Sequence, residues 1–189
     1  MVKWVSPPIN WLKGNTDGAS KGNSGLTSAT FCIRYREENL IAAKRVRIQE
    51  TTNLIAEVIA IRECLVFCRD NMLSQIIIET DSLAMVHIIE GQWEIPWSVT
   101  LEVSFIQNLK GIVSARVQHS LKEGNTLADY FANLVLIFAE VKMEITFQVA
   151  IGASPGVDDD KYWCDFSGTL ENDGNFFSMV SFFQYNHSR

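Results

Sequence analysis

This sequence predicts an α/β fold: a five-stranded mixed sheet with helices on both faces. Three observations lead there. Strand-like runs at 28–36 (SATFCIRYR) and 40–48 (LIAAKRVRI) are joined by Glu37-Glu38-Asn39, which suits a hairpin turn, so the chain opens on antiparallel pairing. The spacing then changes, with Ala56, Ala60, Cys64 and Phe67 recurring every three or four residues as on the buried side of a helix over 51–70. Strand and helix patterns alternate from there on, which calls for crossovers that pack helices against a sheet.

The elements follow in order. Residues 11–16 read as the first strand, and the two runs above as the second and third. Residues 75–80 (QIIIET) form a short β-branched run without alternation, as in a strand covered on both faces. Asp81-Ser82 opens a helix through Leu83, Val86 and Ile89 that Gly91 stops. After Pro96, Val99, Val103, Ile106 and Leu109 repeat at helical spacing as far as Gly111. Residues 112–118 (IVSARVQ) are expected as the fifth strand, and 125–140 (NTLADYFANLVLIFAE) as a closing amphipathic helix.

Three regions result: a lead-in over 1–10, broken by Pro7-Pro8; a domain over 11–140; and a tail over 141–189. In the tail Gly152, Pro155-Gly156 and Asp158-Asp159-Asp160 interrupt any regular period. One domain of ordinary size plus a tail accords with 189 residues, and 47% hydrophobic residues supply a core rather than a disordered chain.

The net charge of −6 argues against a strongly basic nucleic-acid coat. It is compatible with a nucleic-acid enzyme whose clustered acids bias the count, at the cost of a weak, salt-sensitive grip unless a partner adds basic surface. Cys32, Cys64, Cys68 and Cys164 lack metal-finger spacing, and core thiols are expected. No basic-then-apolar leader and no run of about 18 apolar residues occurs. The expected setting is therefore intracellular, nucleus or cytoplasm, not secreted and without membrane association. The sequon Asn186-His187-Ser188 carries no weight there.

Four acids stand in separate elements: Asp17 after the first strand, Glu57 in the first helix, Asp81 after the fourth strand and Asp129 at the start of the last helix. Each has an ordinary structural role open to it. Asp17-Gly18 suits a turn, Asp81 an N-cap, Glu57 a solvated helix face, and Asp129 the positive end of a helix dipole. Together they point elsewhere. Asp17 and Asp81 both end apolar strands, where open α/β sheets place ligands. Carboxylates gathered in one crevice suit a divalent cation such as Mg²⁺ or Mn²⁺.

Four segments stand in the order and approximate spacing of a known family. They are NTDGASKGNSG from Asn15, TTNLIAEVIAIRECL from Thr51, IIIETDSLAMV from Ile76 and VQHSLKEGNTLADYFANL from Val117. Over about 11–139 the chain resembles the type 1 ribonuclease H domain of plant retroelement-derived, non-LTR reverse-transcriptase-like proteins. The resemblance implies a ribonuclease H-like fold and two-metal, endonucleolytic hydrolysis of the RNA strand of RNA/DNA hybrids. It implies two Mg²⁺ ions, with Mn²⁺ as a substitute, held by Asp17, Glu57, Asp81 and Asp129. It also implies proton transfer by His119, ten residues before Asp129, a task to which imidazole is suited. Asn23, Thr52 and Asn53 match positions that contact the hybrid's backbone and sugars, although turn and cap chemistry would account for them equally.

There are departures from the family. The usual Asn-Pro-Gly turn is here Asn23-Ser24-Gly25, and the stretch holding the basic protrusion of better-known members has only Lys110. Trp93 and Trp97 in that stretch are expected to pack inside. Hybrid and further domains of a reverse-transcriptase polyprotein are the expected partners. A catalytically weak or inactive nucleic-acid-binding domain is the alternative reading. A proofreading-type exonuclease is disfavoured, because Asp17-Gly18-Ala19 lacks that group's Asp-x-Glu pair.

Overall fold

The structure, a computed structural model, describes residues 5–20, 22, 25, 27–36, 40–125, 128, 145–148, 162–172 and 175–185, the last three stretches as backbone only. Three strands come first: β1 (Leu12–Ser20), β2 (Thr27–Arg34) and β3 (Leu40–Ile48). They pair antiparallel, Asp17 opposite Thr30 and Thr30 opposite Arg45. After helix α1 (Asn53–Asp70), β4 (Ile76–Thr80) joins the other edge of β1 in parallel. Helices α2 (Leu83–Ile89) and α3 (Thr100–Val113) precede β5 (Arg116–His119), which pairs parallel with β4. The five expected strands thus form one mixed sheet in the order β5-β4-β1-β2-β3.

That sheet carries a sixth strand, β6 (Ile145–Gln148), antiparallel on the outer edge of β3. An open edge is a row of unpaired backbone groups, and a short β-branched and aromatic segment suits it. Strands β7 (Tyr162–Asn172) and β8 (Asn175–Tyr185) form a separate two-stranded sheet. No elements are expected there from the sequence, although Asp173-Gly174 is a hairpin dipeptide between two aromatic-rich runs.

Strand alternation makes the two faces of the sheet unlike. Leu12, Ala29, Phe31, Ile33, Ile76, Ile78 and Val117 point to one side and pack with α1 and α3 through Val58, Ile61, Leu65, Val103, Ile106 and Leu109. Each buried Leu, Ile, Val or Phe side chain among them contributes about 1.5–3 kcal/mol by leaving water. Gly14 lets α1 approach, since a Cβ there would lie 3.0 Å from the Cys64 Sγ. The opposite face is buried yet polar: Lys13, Asn15, Asp17, Thr30, Arg45 and Glu79. Ala128 lies over it, its carbonyl accepting from the Thr30 hydroxyl at 3.0 Å.

Several boundaries differ from expectation for local reasons. β1 runs on through Asp17-Gly18, so this pair lies within a strand and not in a turn. α3 passes Gly111, which remains helical, and ends where Ser114 turns left-handed at φ 53°. β5 accordingly starts late, at Arg116. Trp93 and Trp97 are exposed, the latter 92%, against the expectation of buried packing; Trp93 stacks on His87 with ring centroids 4.7 Å apart. In this stretch it is the smaller Val99, Val103 and Ile106 that enter the core. The closing helix expected over 125–140 lies outside the described residues except for Asn125 and Ala128. Among the described residues no helix is long and apolar enough to cross a membrane.

Thr52 caps α1, its hydroxyl accepting from the Ile55 N–H. Thr52→Ala is expected to cost about 1 kcal/mol. That is a melting-point drop of about 2–4 °C for a chain of this size, read by thermal denaturation.

Candidate metal-binding and catalytic site

Asp17 points to the polar face of the central strand and is 5% exposed. The main-chain ladder between β1 and β4 ends at Thr16 opposite Thr80, so Asp81, the next residue of the other chain segment, emerges beside Asp17. Ser82, not Asp81, caps α2, accepting from the Met85 N–H. That leaves the Asp81 carboxylate available to the site.

Glu57 arrives from the second turn of α1 and is nearly as buried as Asp17. Gly18 makes this approach possible. A Cβ at Gly18 would stand 2.4 Å from both the Ala56 carbonyl carbon and the Glu57 nitrogen. Gly18 thus lets β1 and α1 touch. The Thr80 hydroxyl donates to Glu57 Oε2 at 3.2 Å and accepts from the Ser82 N–H at 3.1 Å, orienting the carboxyl.

One oxygen from each of Asp17, Glu57 and Asp81 lies within 4.8 Å of the others. Burial first, then the charges of Asp17 and Asp81, push the Glu57 carboxyl well above the usual carboxylate range. Hydrogen bonds from the Gly18 backbone and the Thr80 side chain only partly offset this. Three hard oxygen donors that repel one another unless a cation joins them fit a divalent metal.

The electrostatics carry a testable sign. Folded Glu57 keeps a proton that the unfolded chain would release in the usual carboxylate range. As pH rises through the interval up to the folded value, the metal-free fold loses stability. In chelator, the melting temperature of Glu57→Gln should therefore fall less than that of the unaltered chain between pH 5 and pH 8. Added Mg²⁺ should rescue the unaltered chain more at pH 8 than at pH 5, because cation uptake expels that proton. Parallel melting curves for the two chains would contradict this.

His119 lies outside the acid cluster, exposed at the end of β5 and in register with Thr80. Thr52 and Asn53 are exposed at the start of α1, and Asn53 Oδ1 accepts from the Ser20 N–H at 2.9 Å, tying the end of β1 to the helix. Both therefore have the structural roles that the sequence left open for them. Asp129 and Asn23 lie outside the described residues. Sequence reasoning passed over Asn125, which is 1% exposed and donates to the Thr16 carbonyl at 2.9 Å, fastening the segment after β5 beside Asp17. It also passed over Thr80, although Thr-Asp occurs at the ends of two apolar runs, Thr16-Asp17 and Thr80-Asp81. Cys32 and Cys64 are core groups: burial pushes the Cys32 thiol up to about 12, against the pull of Arg34, and raises Cys64 as well.

Acids from β1, α1 and the end of β4, meeting on a sheet of this order, define a ribonuclease H-like domain. The chain belongs to the reverse-transcriptase-like family, which it matches over residues 15–135. It is 32% identical over 138 residues to an Arabidopsis thaliana protein named "Putative ribonuclease H protein"; the match covers 70% of this chain and 22% of that protein. The fold is similar to RNase H1 of the archaeon Halobacterium salinarum, with a TM-score of 0.64, 22% identity, and coverage of 67% of this chain and 98% of that one. LC11-RNase H1 in complex with an RNA/DNA hybrid aligns with a TM-score of 0.60 at 21% identity, over 68% of this chain and 98% of that one.

Proposed function

We propose that residues 11–140 form a nuclease unit that hydrolyses the RNA strand of RNA/DNA hybrids internally, using two Mg²⁺ ions or, in their place, Mn²⁺. The meeting of the Asp17, Glu57 and Asp81 oxygens within 4.8 Å carries this reading. The names of the relatives, and the hybrid bound to LC11-RNase H1, support the substrate. Asp129 is proposed as the fourth carboxylate.

Cations held by these acids would supply Lewis-acid activation for cleaving a phosphodiester. The chain's own residues do the rest. Asp17 anchors from the central strand, Glu57 gives up its proton when charge compensation arrives, and half-buried Asp81 borders solvent. His119, exposed on the neighbouring strand end, is proposed to carry protons between the reacting groups and water. Asn23, Thr52 and Asn53 are proposed to meet the hybrid's backbone, with selectivity for RNA resting on its 2′-hydroxyls. The buried, unbridged thiols Cys32, Cys64 and Cys68 support a reducing intracellular setting, nucleus or cytoplasm. Because this chain matches only 22% of its Arabidopsis relative, further reverse-transcriptase-type domains are proposed as partners in a longer protein.

The experiment is Mg²⁺-dependent cleavage of an end-labelled hybrid, with duplex RNA and duplex DNA as controls. Internal cuts confined to the RNA strand of the hybrid are expected. The net charge of −6 favours a second reading, a binding domain with little or no catalysis. Tight hybrid binding without cleavage at any Mg²⁺ or Mn²⁺ concentration would establish that reading instead.

A further inference from the structure

Beneath the acid cluster, one pleat back along the strands, lies a second polar group to which the nuclease reading gives no role. Asn15 stands two residues before Asp17 on the same face of β1, and Glu79 is the next-to-last residue of β4, two before Asp81. They are partners in the parallel register of β1 and β4, and the Asn15 Nδ2 donates to Glu79 Oε2 at 3.1 Å. Glu79 Oε1 also accepts from the Lys13 Nζ at 2.7 Å and the Gln118 Nε2 at 2.9 Å. Asn15 Oδ1 accepts from the Arg34 Nη2 at 2.7 Å. One line of hydrogen bonds therefore crosses four strands, β2, β1, β4 and β5.

Two features give this line a purpose beyond filling space. The Lys13–Glu79 pair is almost wholly buried, and apolar groups of similar volume would commonly serve stability as well or better. The line also sits where the backbone stops helping: the β1–β4 ladder ends at Thr16 opposite Thr80, and beyond it Asp17, still within β1, and Asp81, just past β4, repel with no ladder between them. Lys13 and Arg34 bring positive charge beneath those acids, and Glu79 ties the three strands that carry Asp17, Asp81 and His119.

We propose that Glu79, with Asn15 and Lys13, is a positioning residue of the metal site, holding β1 and the C-terminal end of β4 at the separation at which Asp17 and Asp81 share cations. This rests on the metal-dependent reading above. The test is Mn²⁺ affinity, measured by electron paramagnetic resonance on the full chain without substrate. Lys13→Met with Glu79→Met removes both charges at similar volume; Gln118→Leu removes one hydrogen bond from an exposed residue; Ile106→Val loosens the core far from the acids. The double variant should bind Mn²⁺ about tenfold more weakly, the range seen when the groups that orient metal ligands are lost. Gln118→Leu should weaken binding by about threefold, and Ile106→Val not at all. If the double variant does not fold, Gln118→Leu decides the matter alone. Unchanged affinity in the folded variants overturns the proposal, and so does an equal loss in Ile106→Val. Failure of the unaltered chain to bind Mn²⁺ removes the metal site itself, and the proposal with it.

Discussion

Asp17→Asn is expected to slow hybrid cleavage by about 10³-fold while leaving the fold intact. The carboxylate sits on the central strand, deep in the acid cluster, where its charge would hold cations against the scissile phosphate. Cation stabilisation of a phosphoryl transition state is worth several kcal/mol, and each 1.36 kcal/mol is about tenfold in rate. The amide keeps the shape of the carboxyl, so β1 should still pair with β2 and β4. Removing one of three mutually repelling acids should also raise the melting temperature in chelator, because one of the two charges that, after burial, disfavour ionised Glu57 is gone. Cleavage rates and metal-free melting, measured together, separate chemistry from folding. Equal rates for the two chains would end the enzymatic reading, and a collapsed melting transition would assign Asp17 a structural role.

Among the glycines described at their Cβ position, Gly18 should tolerate an added methyl least: Gly18→Ala is expected to damage the fold severely. The new Cβ would meet backbone atoms of α1 at 2.4 Å, and backbone cannot rotate aside as a side chain does. Overpacking of this kind costs about 1–3 kcal/mol, with the upper end expected here because both contacts are main chain. For a chain of this size that corresponds to a loss of about 6–12 °C in melting temperature. Activity should fall as well, since the strain pushes on the Ala56-Glu57 peptide and moves the Glu57 carboxyl away from Asp17. A Gly18→Ala chain melting within 2 °C of the original would show that α1 can retreat without consequence.

The fold was legible where side-chain period and element type agree. LIAAKRVRI and QIIIET read as strands, and the complete burial of β4 accords with its β-branched composition. Asp17, Glu57 and Asp81 were legible as a set because each sits at an element end or a close approach, and the structure joins them. What escaped has physical reasons. Whether Asp81 or Ser82 caps α2 depends on a hydrogen bond no spacing encodes, and the helical state of Gly111 depends on packing of Leu109 and Val113 in the core. The exposure of Trp97 runs against its hydrophobicity, while the smaller Val99, Val103 and Ile106 nearby in sequence are buried. The polar layer of Lys13, Asn15 and Glu79 was hidden in strands that look mainly apolar, visible only once alternation assigns those residues to one face.

The cap of α2 has an evolutionary corollary. Because a neighbouring serine secures that helix, the aspartate before it can be exchanged for asparagine with every turn below it undisturbed. Silencing the proposed activity would need no passage through an unfolded ancestor: a single codon change at Asp81 would remove a carboxylate and keep the scaffold.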